Sequence, residues 1–281
     1  MAFPDPSEFV RARLVAGVRA VFNDSDKGEE PVPVADSDAL FERDSPIRMV
    51  HADVVSMMVG GVRSLLLQML HPHALQGVLD HSNFRADMHG RLRRTARFMA
   101  VTTFGHHGAA DAAINQVNRI HRQVKGVLPD GSPYSATDPA TLAWVHVAGA
   151  TSFLESYLKY VRPGMPRDEQ DEYFNQFAVV ARKLNADPVP ENRRDAETLM
   201  RDMRSQLRSS PEAKEVADLV LRQKPEGAPP AAQALVGMAA TDLLPPYART
   251  MLGLRAPGLA AAPTQIALRS AGRTLRWAFR Q

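Results

Sequence analysis

The placement of proline constrains this chain more than any other feature of its sequence, because it marks the starts of helices. Three patterned runs each follow a helix-start signal: 139–160 after Asp138, 167–184 after Pro166, and 191–207 after Pro190. Proline suits the first turn of a helix, where its φ is already helical and its missing N–H would have no partner anyway. Within the first run, apolar residues recur every three or four positions, at Leu142, Val145, Gly149, Phe153, Leu154 and Tyr157. The pattern predicts a helix for each run.

Strand signals are missing from the sequence. It has no sustained alternation of apolar and polar residues rich in β-branched types, and no series of Gly-rich hairpin turns. The longest apolar run, Val54–Leu70, carries Arg63 near its middle, whereas a helix needs about 20 apolar residues to cross a bilayer. This run is best interpreted as a buried core helix. We therefore predict an all-α fold, a single globular domain of about ten helices.

The chain divides into three expected parts. Residues 1–45 are more polar and interrupted by proline, which indicates an N-terminal helix and an arm over the core. Residues 46–255 form the main helical domain, with a turn at Pro129–Pro133 and a Pro/Gly-rich loop at 223–231. Residues 256–281 form a C-terminal basic amphipathic helix that packs on this domain.

Composition narrows the function classes. Hydrophobic residues make up 44% and charged residues 23% of the 281 residues, which is ordinary for a globular protein. A formal net charge of only +3 is weak support for nucleic-acid binding, which usually needs basic residues concentrated on one face, so no nucleic-acid partner is expected. Because the chain has no cysteine, disulfides, zinc-thiolate sites, iron–sulfur clusters and thiol catalysis are excluded. The amino terminus has no secretory or twin-arginine pattern, so we expect a cytoplasmic protein.

His121 is the histidine with the most informative position. In the predicted helix Asp111–Gly126 it shares the apolar face with residues at spacings of three and four, namely Ile114, Val117, Val124 and Leu128. A buried imidazole needs partners for both ring nitrogens. A metal on one nitrogen and a carbonyl on the other is one solution. A core histidine bonded to a backbone carbonyl is the alternative that periodicity alone favours.

An arginine-rich stretch supplies a second group of candidate residues. On a helix, one face would carry Arg91, Arg94, Thr95, Phe98 and Thr102, while Arg93 and Arg97 share another. Guanidinium groups beside a largely apolar pocket suit a ligand that carries carboxylates. The alternative is a solvated basic face whose arginine stems cover apolar surface.

The remaining histidines allow several roles. His71 and His73 flank Pro72 and cannot share a helix face, and His81 follows one helix length later. No HExxH or Glu-x-x-His pattern indicates a zinc or di-iron site. Each histidine taken alone is more simply a surface residue or a satisfied core residue. Trp144 is expected in the core, whereas His146 lies on another helix face, with a packing or ligand-supporting role.

The central part of the chain carries a series of short motifs in a fixed order. They are GVRSLLLQ (61–68), HP (71–72), GV (77–78), HS (81–82), FR (84–85), GRLRRT (90–95), FG (104–105), Val117 to His121, Val124 to Gly126, LPDGSPYSATDP (128–139), WVH (144–146), and LLPP (243–246) with Arg249 and GL (253–254). Over residues 45–255 this series resembles the domain shared by the latex-clearing rubber oxygenases and MpaB, the mycophenolate-pathway oxygenase. No single motif is diagnostic, and the order and spacing carry the resemblance.

The resemblance implies an all-α fold that encloses a pocket for haem b, with the iron held by the histidine that matches His121. It also implies O2-dependent cleavage of an isoprenoid carbon–carbon double bond. Arg91 and Thr95 match the family's Arg-x-x-Lys-Thr segment, but Arg94 stands where latex-clearing proteins have a lysine that can ligate the iron. Guanidinium has no lone pair to offer. The distal position is therefore expected to be open, water-filled, or taken by His71 or His81.

These considerations define a candidate site. His121 is the expected metal ligand, Arg91 or Arg94 pairs with a haem propionate or polarises O2, and Thr95 is a distal hydrogen-bond donor. The expected catalytic residues are Arg91, Arg94, Thr95 and His71, and the expected haem-contacting residues are His121, Arg91, Arg94, Phe98, Val117, Val124, His81, Trp144 and His146. The expected partners are O2 and an apolar, alkene-containing small molecule. Because the chain lacks an export signal, polymeric rubber is not the expected substrate.

Other functions fit the same sequence. A non-catalytic haem carrier or sensor would give the same iron spectrum without substrate-dependent O2 uptake. A metal-free helical protein that binds an apolar ligand would survive the loss of His121. A peripheral membrane contact is indicated in Thr264–Gln281, where a basic helix face lies beside Trp277 and Phe279 and consists of Arg269, Arg273, Arg276 and Arg280. Docking of this helix on the domain or on a partner subunit is the alternative.

Overall fold

A computed structural model of the chain describes residues 8, 11–12, 15–16, 32–35, 37–223 and 230–279. Most of the predicted N-terminal helix and arm lies outside these residues, as do positions 224–229 of the predicted loop and Arg280. The described residues form twelve α-helices and one hairpin: α1 (Pro46–Ala52), α2 (Val54–Gln68), α3 (Pro72–His81), α4 (Met88–Phe104), α5 (His107–His121), β1 (Lys125–Val127), β2 (Pro133–Ser135), α6 (Pro139–Tyr160), α7 (Arg167–Lys183), α8 (Arg193–Asp202), α9 (Pro211–Arg222), α10 (Pro230–Leu243), α11 (Pro246–Leu252) and α12 (Ala261–Phe279). The all-α prediction is confirmed, and the helix count is close to the expected one.

Helices begin near the predicted signals. The longest helix, α6, follows Asp138, whose carboxylate accepts a hydrogen bond from the N–H of Thr141 at 2.8 Å. Helix α7 begins directly after Pro166. The third run differs, because α8 begins at Arg193 and Asn192 caps it. The end of this run tightens into a 3-10 helix at Met203–Gln206, as is common at helix ends.

The sequence does not predict the two-stranded hairpin between α5 and α6. Its antiparallel strands pair Lys125 with Ser135, Gly126 with Tyr134, and Val127 with Pro133. A side chain at Gly126 would clash, because an added Cβ would lie 2.8 Å from the Tyr134 ring. The predicted turn at 129–133 forms the connection. Three residues per strand are too few for an alternating pattern to be recognised.

The core is built on the contact between α2 and α6. Gly60 allows a close approach of the two helices, because an added Cβ would lie 2.9 Å from Cα of Phe153 and 3.0 Å from the carbonyl oxygen of Ser152. Arg63, the charge within the apolar run, is buried. Its Nε donates to the carbonyl of Leu243 at 2.9 Å, and its Nη1 donates to the hydroxyl of Ser152 at 2.7 Å. The run is thus a core helix whose charge is satisfied internally.

Within the described ranges, no single helix has both the length and the apolar composition to cross a membrane. Helices α1 and α2 pass that test as a pair, on length and composition, but they bend by 91° at their junction. Ten of the fifteen residues of α2 are buried within the protein.

Helix α12 contacts the rest of the chain through one side. Its buried residues are Thr264, Leu268, Gly272 and Ala278. Arg276 forms an ion pair with Asp53, the capping residue of α2, and Arg269 donates to the carbonyl of Lys159 at 2.9 Å. In the N-terminal segment, Nε of Arg11 donates to the carbonyl of Ala278 at 2.8 Å, and a cation is favourable at this end of a helix.

Candidate functional site

Arg91 and His121 lie at the same end of a helical hairpin. Helices α4 and α5 are joined by Gly105 and His106 alone and pack against each other, so they run antiparallel. Arg91 is in the first turn of α4, and His121 is the last residue of α5. Both residues are therefore at the end away from the connection.

The helical hairpin is more loosely packed than the core helices. Of the seventeen residues of α4, only Met88, Thr102 and Thr103 are buried, and in α5 only Ala110 and Ile114 are buried. Several other apolar side chains are half-buried, among them Leu92, Phe98, Met99 and Val117, and Ile120 is exposed. Apolar side chains that remain half-exposed on two neighbouring helices are available to contact an apolar ligand.

His121 is half-buried, and its surroundings leave one ring nitrogen unsatisfied. Nδ1 is buried and has no hydrogen-bond partner among the described residues. The alternative of a core histidine bonded to a carbonyl is therefore not found at this nitrogen. Burial lowers the pKa of the His121 ring, so the imidazole is neutral at neutral pH and keeps a lone pair.

The helix that carries His121 is shorter than the sequence predicts. Helix α5 ends at His121, so Val124 and Leu128 do not share its apolar face, and that part of the prediction is wrong. The N–H of Val124 donates to the His121 carbonyl at 3.1 Å in a tight turn before β1. Val124 packs against α3, because a Cβ added to Gly77 would lie 3.3 Å from its Cγ1. The helical spacing of apolar residues continues by chance across this turn.

Arg91 is a half-buried guanidinium with a neutral partner. Its Nη1 donates to the hydroxyl of Ser82 at 3.1 Å, and among the described residues it has no ion pair. Burial lowers the pKa of Arg91, and so does the neighbouring charge of Arg94. A buried cation without a counter-ion is unfavourable, so this position favours an anionic ligand.

Contacts at the carboxyl end of α3 connect Arg91 to the chain that follows His121. Ser82, the partner of Arg91, is the C-cap residue of α3. The preceding residue, His81, bonds through Nε2 to the carbonyl oxygen of Lys125 at 3.1 Å. The carboxyl end of α3 thus lies between Arg91 and the turn after His121. His81 itself is exposed.

Arg94 and Thr95 are at the surface. Arg94 pairs with Asp87 at 3.0 Å, and both side chains are more than half exposed. Thr95 is exposed, and its hydroxyl donates to the backbone carbonyl of Arg91 at 3.1 Å. The face predicted on α4 is therefore only partly buried, since Arg91 and Phe98 are half-buried. The solvated-face interpretation fits Arg94 and Thr95.

His71 and Trp144 form a second group at the amino-terminal end of α3. His71 is the N-cap residue of α3 and is buried, and Trp144 is fully buried as expected. The rings of His71 and Trp144 are stacked with centroids 6.5 Å apart, and the ring of His73 meets that of His71 edge-on at 5.4 Å. A helix of ten residues is roughly 15 Å long, so this group is well separated from Arg91.

Unpaired polar atoms also occur in this second group. Nδ1 of His71 and Nε1 of Trp144 are buried without a hydrogen-bond partner in the described part of the chain. Nε2 of His71 lies 3.4 Å from Oε1 of Gln206. Burial lowers the pKa of His71, so its ring is neutral at neutral pH.

His146 lies in a third environment, against α7. Its ring centroid is 4.7 Å from that of Phe177, and its Nε2 is buried with no hydrogen-bond partner among residues that the structure describes. Burial lowers the pKa of His146 to about 4. None of the hydrogen bonds or ring contacts found among the described residues joins His146 to Arg91 or His121.

A buried polar network surrounds His51, and the sequence patterns do not predict it. Nδ1 of His51 lies 2.8 Å from Oγ1 of Thr103, and its Nε2 lies 3.3 Å from the hydroxyl of Tyr173. The Tyr173 hydroxyl donates to the carbonyl of Ala150 at 3.2 Å, and burial lowers the pKa of His51 to about 3. The network joins α1, α4, α6 and α7. Ser82 was likewise given no role, although its place after a helix end is a signal for a capping residue.

The donor set near Arg91 fits a haem better than a site built from several protein ligands. Within the part of the chain that the structure describes, no group of three or more His, Asp or Glu side chains could hold a metal ion. Haem iron needs as little as one protein ligand, and haem carboxylates favour a guanidinium. His121 offers a buried, unpartnered imidazole nitrogen, and Arg91 offers a cation without a counter-ion.

Comparison with protein-family models gives a match over residues 48–277. The matching model is described as "ER-bound oxygenase mpaB/B'/Rubber oxygenase, catalytic domain". Comparisons with curated proteins and with solved structures give no match. The family match covers α2 to α11 completely and most of α12, and it includes every candidate residue named above.

Proposed function

This chain belongs to the mpaB/rubber oxygenase catalytic-domain family, and we propose on that premise that it is a haem-b-dependent oxygenase. Its substrates are O2 and an apolar small molecule with an isoprenoid-like carbon–carbon double bond. Family membership supports the oxygenase class. The cofactor and the substrate class are inferred from the residues of the site.

The proposal depends on one observation, the buried Nδ1 of His121 that has no hydrogen-bond partner among the described residues. An unpaired buried polar atom costs about 1–3 kcal/mol, so such atoms call for an explanation. The resemblance assigns iron to this same imidazole. A bound haem iron would give this nitrogen its missing partner, and the proton of the neutral ring would then be on Nε2.

The protonation state of His121 suits this role. Because burial lowers the pKa of the ring, His121 is neutral near pH 7 and needs no proton loss to bind a metal. As the last residue of α5, it lies at the same end of the helical hairpin as Arg91. Haem b, when bound, supplies the iron that activates O2.

Arg91 is the residue that we assign to a haem propionate. Its Nη1 is bonded to Ser82, which leaves its other N–H groups for a carboxylate. Arg94 and Thr95 are placed at the rim, because Arg94 is paired with Asp87 and the Thr95 hydroxyl is bonded to the Arg91 carbonyl. We therefore assign neither residue a direct role on O2.

Apolar side chains on the facing helices hold the rest of the ligand. Phe98 on α4 and Val117 on α5 are half-buried beside Arg91 and His121, and Val124 extends this surface to α3. They position an apolar substrate and exclude water from the site. A substrate without polar groups needs no further hydrogen-bond donors here.

We propose that none of His81, His71 and Arg94 would ligate the iron of a bound haem. His81 is exposed and its Nε2 is bonded to the Lys125 carbonyl. His71 has a suitable neutral ring with an unpartnered Nδ1, but it lies at the other end of α3 from Arg91. Arg94 cannot ligate iron. An open position is what O2 activation requires.

Oxygen uptake by the haem-loaded protein tests the proposal. We expect uptake with short isoprenoid alkenes and none with their saturated analogues, which have the same shape and polarity without the double bond. Variant His121→Ala should lose both haem and uptake. Haem binding without alkene-dependent uptake would instead indicate a carrier or sensor, and alkene binding that survives in His121→Ala would indicate a metal-free binding protein.

A further inference from the structure

The carboxyl-terminal part of the chain carries a strong excess of positive charge. After Asp242 the sequence contains no Asp or Glu up to residue 281, but it contains six arginines: Arg249, Arg255, Arg269, Arg273, Arg276 and Arg280. The formal net charge of the whole chain is only +3, so the remainder of the chain is net acidic. The basic charge is therefore concentrated in one region of the sequence.

The same region carries most of the exposed apolar side chains. Among the described residues, seven large hydrophobic side chains are exposed, and four of them lie in Leu259–Phe279. Their exposed fractions are 100% for Leu259, 67% for Ile266, 46% for Trp277 and 41% for Phe279. A cluster of exposed apolar residues in one short segment marks an interaction surface.

Helix α12 presents part of this cluster on its outward face. Its inward side buries Thr264, Leu268, Gly272 and Ala278. Ile266, Arg273 and Trp277 are spaced by seven and four residues, so they share the opposite face, and all three are exposed. We call the residues Leu259, Ile266, Arg273 and Trp277 the outer patch.

The arginines of α12 divide between two roles. Arg276 pairs with Asp53 and Arg269 donates to the Lys159 carbonyl, so these two hold the helix on the domain. Two arginines of the predicted basic face are thus used in docking the helix on the domain, and Arg280 lies outside the described residues. Arg255 and Arg273 have no ion pair within the described ranges and are exposed.

We propose that the outer patch docks this protein on the surface of an anionic lipid bilayer. Basic residues beside exposed Trp, Ile and Leu are the composition of a helix that lies in the membrane interface. Tryptophan prefers the headgroup level, and Arg255 and Arg273 are free to meet anionic headgroups. The helix stays attached to the domain through its other side while it binds.

Charge and exposed apolar surface argue against two other partners for the outer patch, a second copy of this chain and a nucleic acid. A second copy would bring the same basic segment against itself, and like charges at an interface oppose association. A nucleic acid would satisfy the arginines but would leave Leu259 and Ile266, the two most exposed members of the patch, without apolar contacts. An anionic bilayer satisfies both kinds of side chain at once.

Vesicle flotation of the full chain tests this inference, and it requires neither haem nor substrate. We expect binding to phosphatidylcholine vesicles that contain phosphatidylserine, and binding at least about tenfold weaker to vesicles of phosphatidylcholine alone. Added salt should weaken the binding to anionic vesicles, because it screens exposed charges.

Matched variants separate the outer patch from general surface effects. Arg273→Glu should reduce the partition coefficient on anionic vesicles by about tenfold or more. The control is Arg194→Glu, which replaces an exposed arginine on α8 and should change the partition coefficient little. Ile266→Ser should weaken binding, whereas Val34→Ser should not, although the exposed fractions of Ile266 and Val34 are 67% and 65%. All four positions are exposed, so the fold should be retained and circular dichroism checks it.

Three results would overturn the inference. One is equal binding of the wild-type chain to neutral and anionic vesicles, or no binding to either. Another is unchanged binding of Arg273→Glu to anionic vesicles. The third is that the chain binds no vesicles but forms a dimer, which Ile266→Ser dissociates. That result would show that the outer patch binds a second copy of the chain.

Discussion

Nη1 of Arg91 lies 3.1 Å from the hydroxyl oxygen of Ser82, a neutral partner that leaves the charge of this half-buried guanidinium uncompensated. Arg94, three residues further on, is exposed and paired with Asp87. Two arginines in the same helix are therefore in opposite electrostatic situations. This difference provides a matched pair of variants for testing the haem site.

Replacing Arg91 by Met should separate haem affinity from folding stability. Loss of a charge-assisted contact to a propionate should weaken haem binding by about tenfold or more. The melting temperature of the haem-free protein should stay the same or rise, because an uncompensated buried charge is removed. Arg94→Met should leave haem affinity nearly unchanged. Equal effects of both variants on haem titrations would remove Arg91 from the site.

His121→Ala should abolish stable haem binding. Loss of residues that merely support a metal ligand costs about 10–100-fold in affinity, so loss of the ligand itself should cost more. His107→Ala, at the other end of α5, is the control, because its side chain is 48% exposed and its Nδ1 lies 3.4 Å from Oδ2 of Asp111. Haem titration followed by absorbance gives both affinities. Retention of wild-type affinity in His121→Ala would assign the iron to another residue.

Gly60→Ala tests the close contact between α2 and α6. The added Cβ would lie 2.9 Å from Cα of Phe153, which is backbone and cannot rotate away. We expect a loss of about 1–3 kcal/mol in the free energy of unfolding. Gly61→Ala is the control in the same helix, since its Cβ would lie 3.9 Å from Cε1 of Phe153, its nearest neighbour, and alanine in place of glycine should stabilise a helix by up to about 1 kcal/mol. Urea denaturation measures both.

The buried His51 should make the protein sensitive to acid. Burial lowers the pKa of His51 from 6.5 to about 3 in the folded state, so the unfolded chain takes up its proton first as the pH falls. The stability that depends on a neutral His51 is complete above pH 6.5 and is lost between 6.5 and about 3, with a slope of up to about 1.4 kcal/mol per pH unit.

His51→Gln should reduce the slope of the free energy of unfolding against pH. Glutamine does not titrate, so the variant should be less stable than the wild type at pH 7 but lose less stability on acidification. Urea midpoints at several pH values provide the comparison. Burial also lowers the pKa of His146 to about 4. This residue should therefore account for part of the pH dependence of stability that remains in the variant. Parallel pH profiles for wild type and variant would show that His51 is not buried in its neutral form.

The helices were predictable because their signals are local. Asp138 and Pro166 mark helix starts through side-chain and backbone chemistry within one turn. The hairpin of β1 and β2 was not predictable, since its pairing depends on contacts such as that of Gly126 with Tyr134 across the turn. The end of α5 was misplaced because Val124 keeps a helical spacing after the helix has ended.

The candidate site was predictable in part. The helical spacing predicted a shared face for Arg91 and Phe98, and both are half-buried, whereas the role in haem binding came from the resemblance and stays a prediction. The periodicity of apolar residues within a helix says nothing about distances between helices. The sequence therefore could not show whether His71 and His146 lie near Arg91. The partner of Arg91, Ser82, and the network around His51 arise from tertiary packing of residues far apart in the chain.

The absorption spectrum of the purified chain after haem supplementation tests the haem assignment most directly. We predict a Soret band in the ferric and ferrous forms, a shift of that band on addition of CO because the distal position is open, and its loss in His121→Ala. A wild-type protein that folds, as judged by circular dichroism, yet shows no Soret band with excess haem would contradict the proposed function.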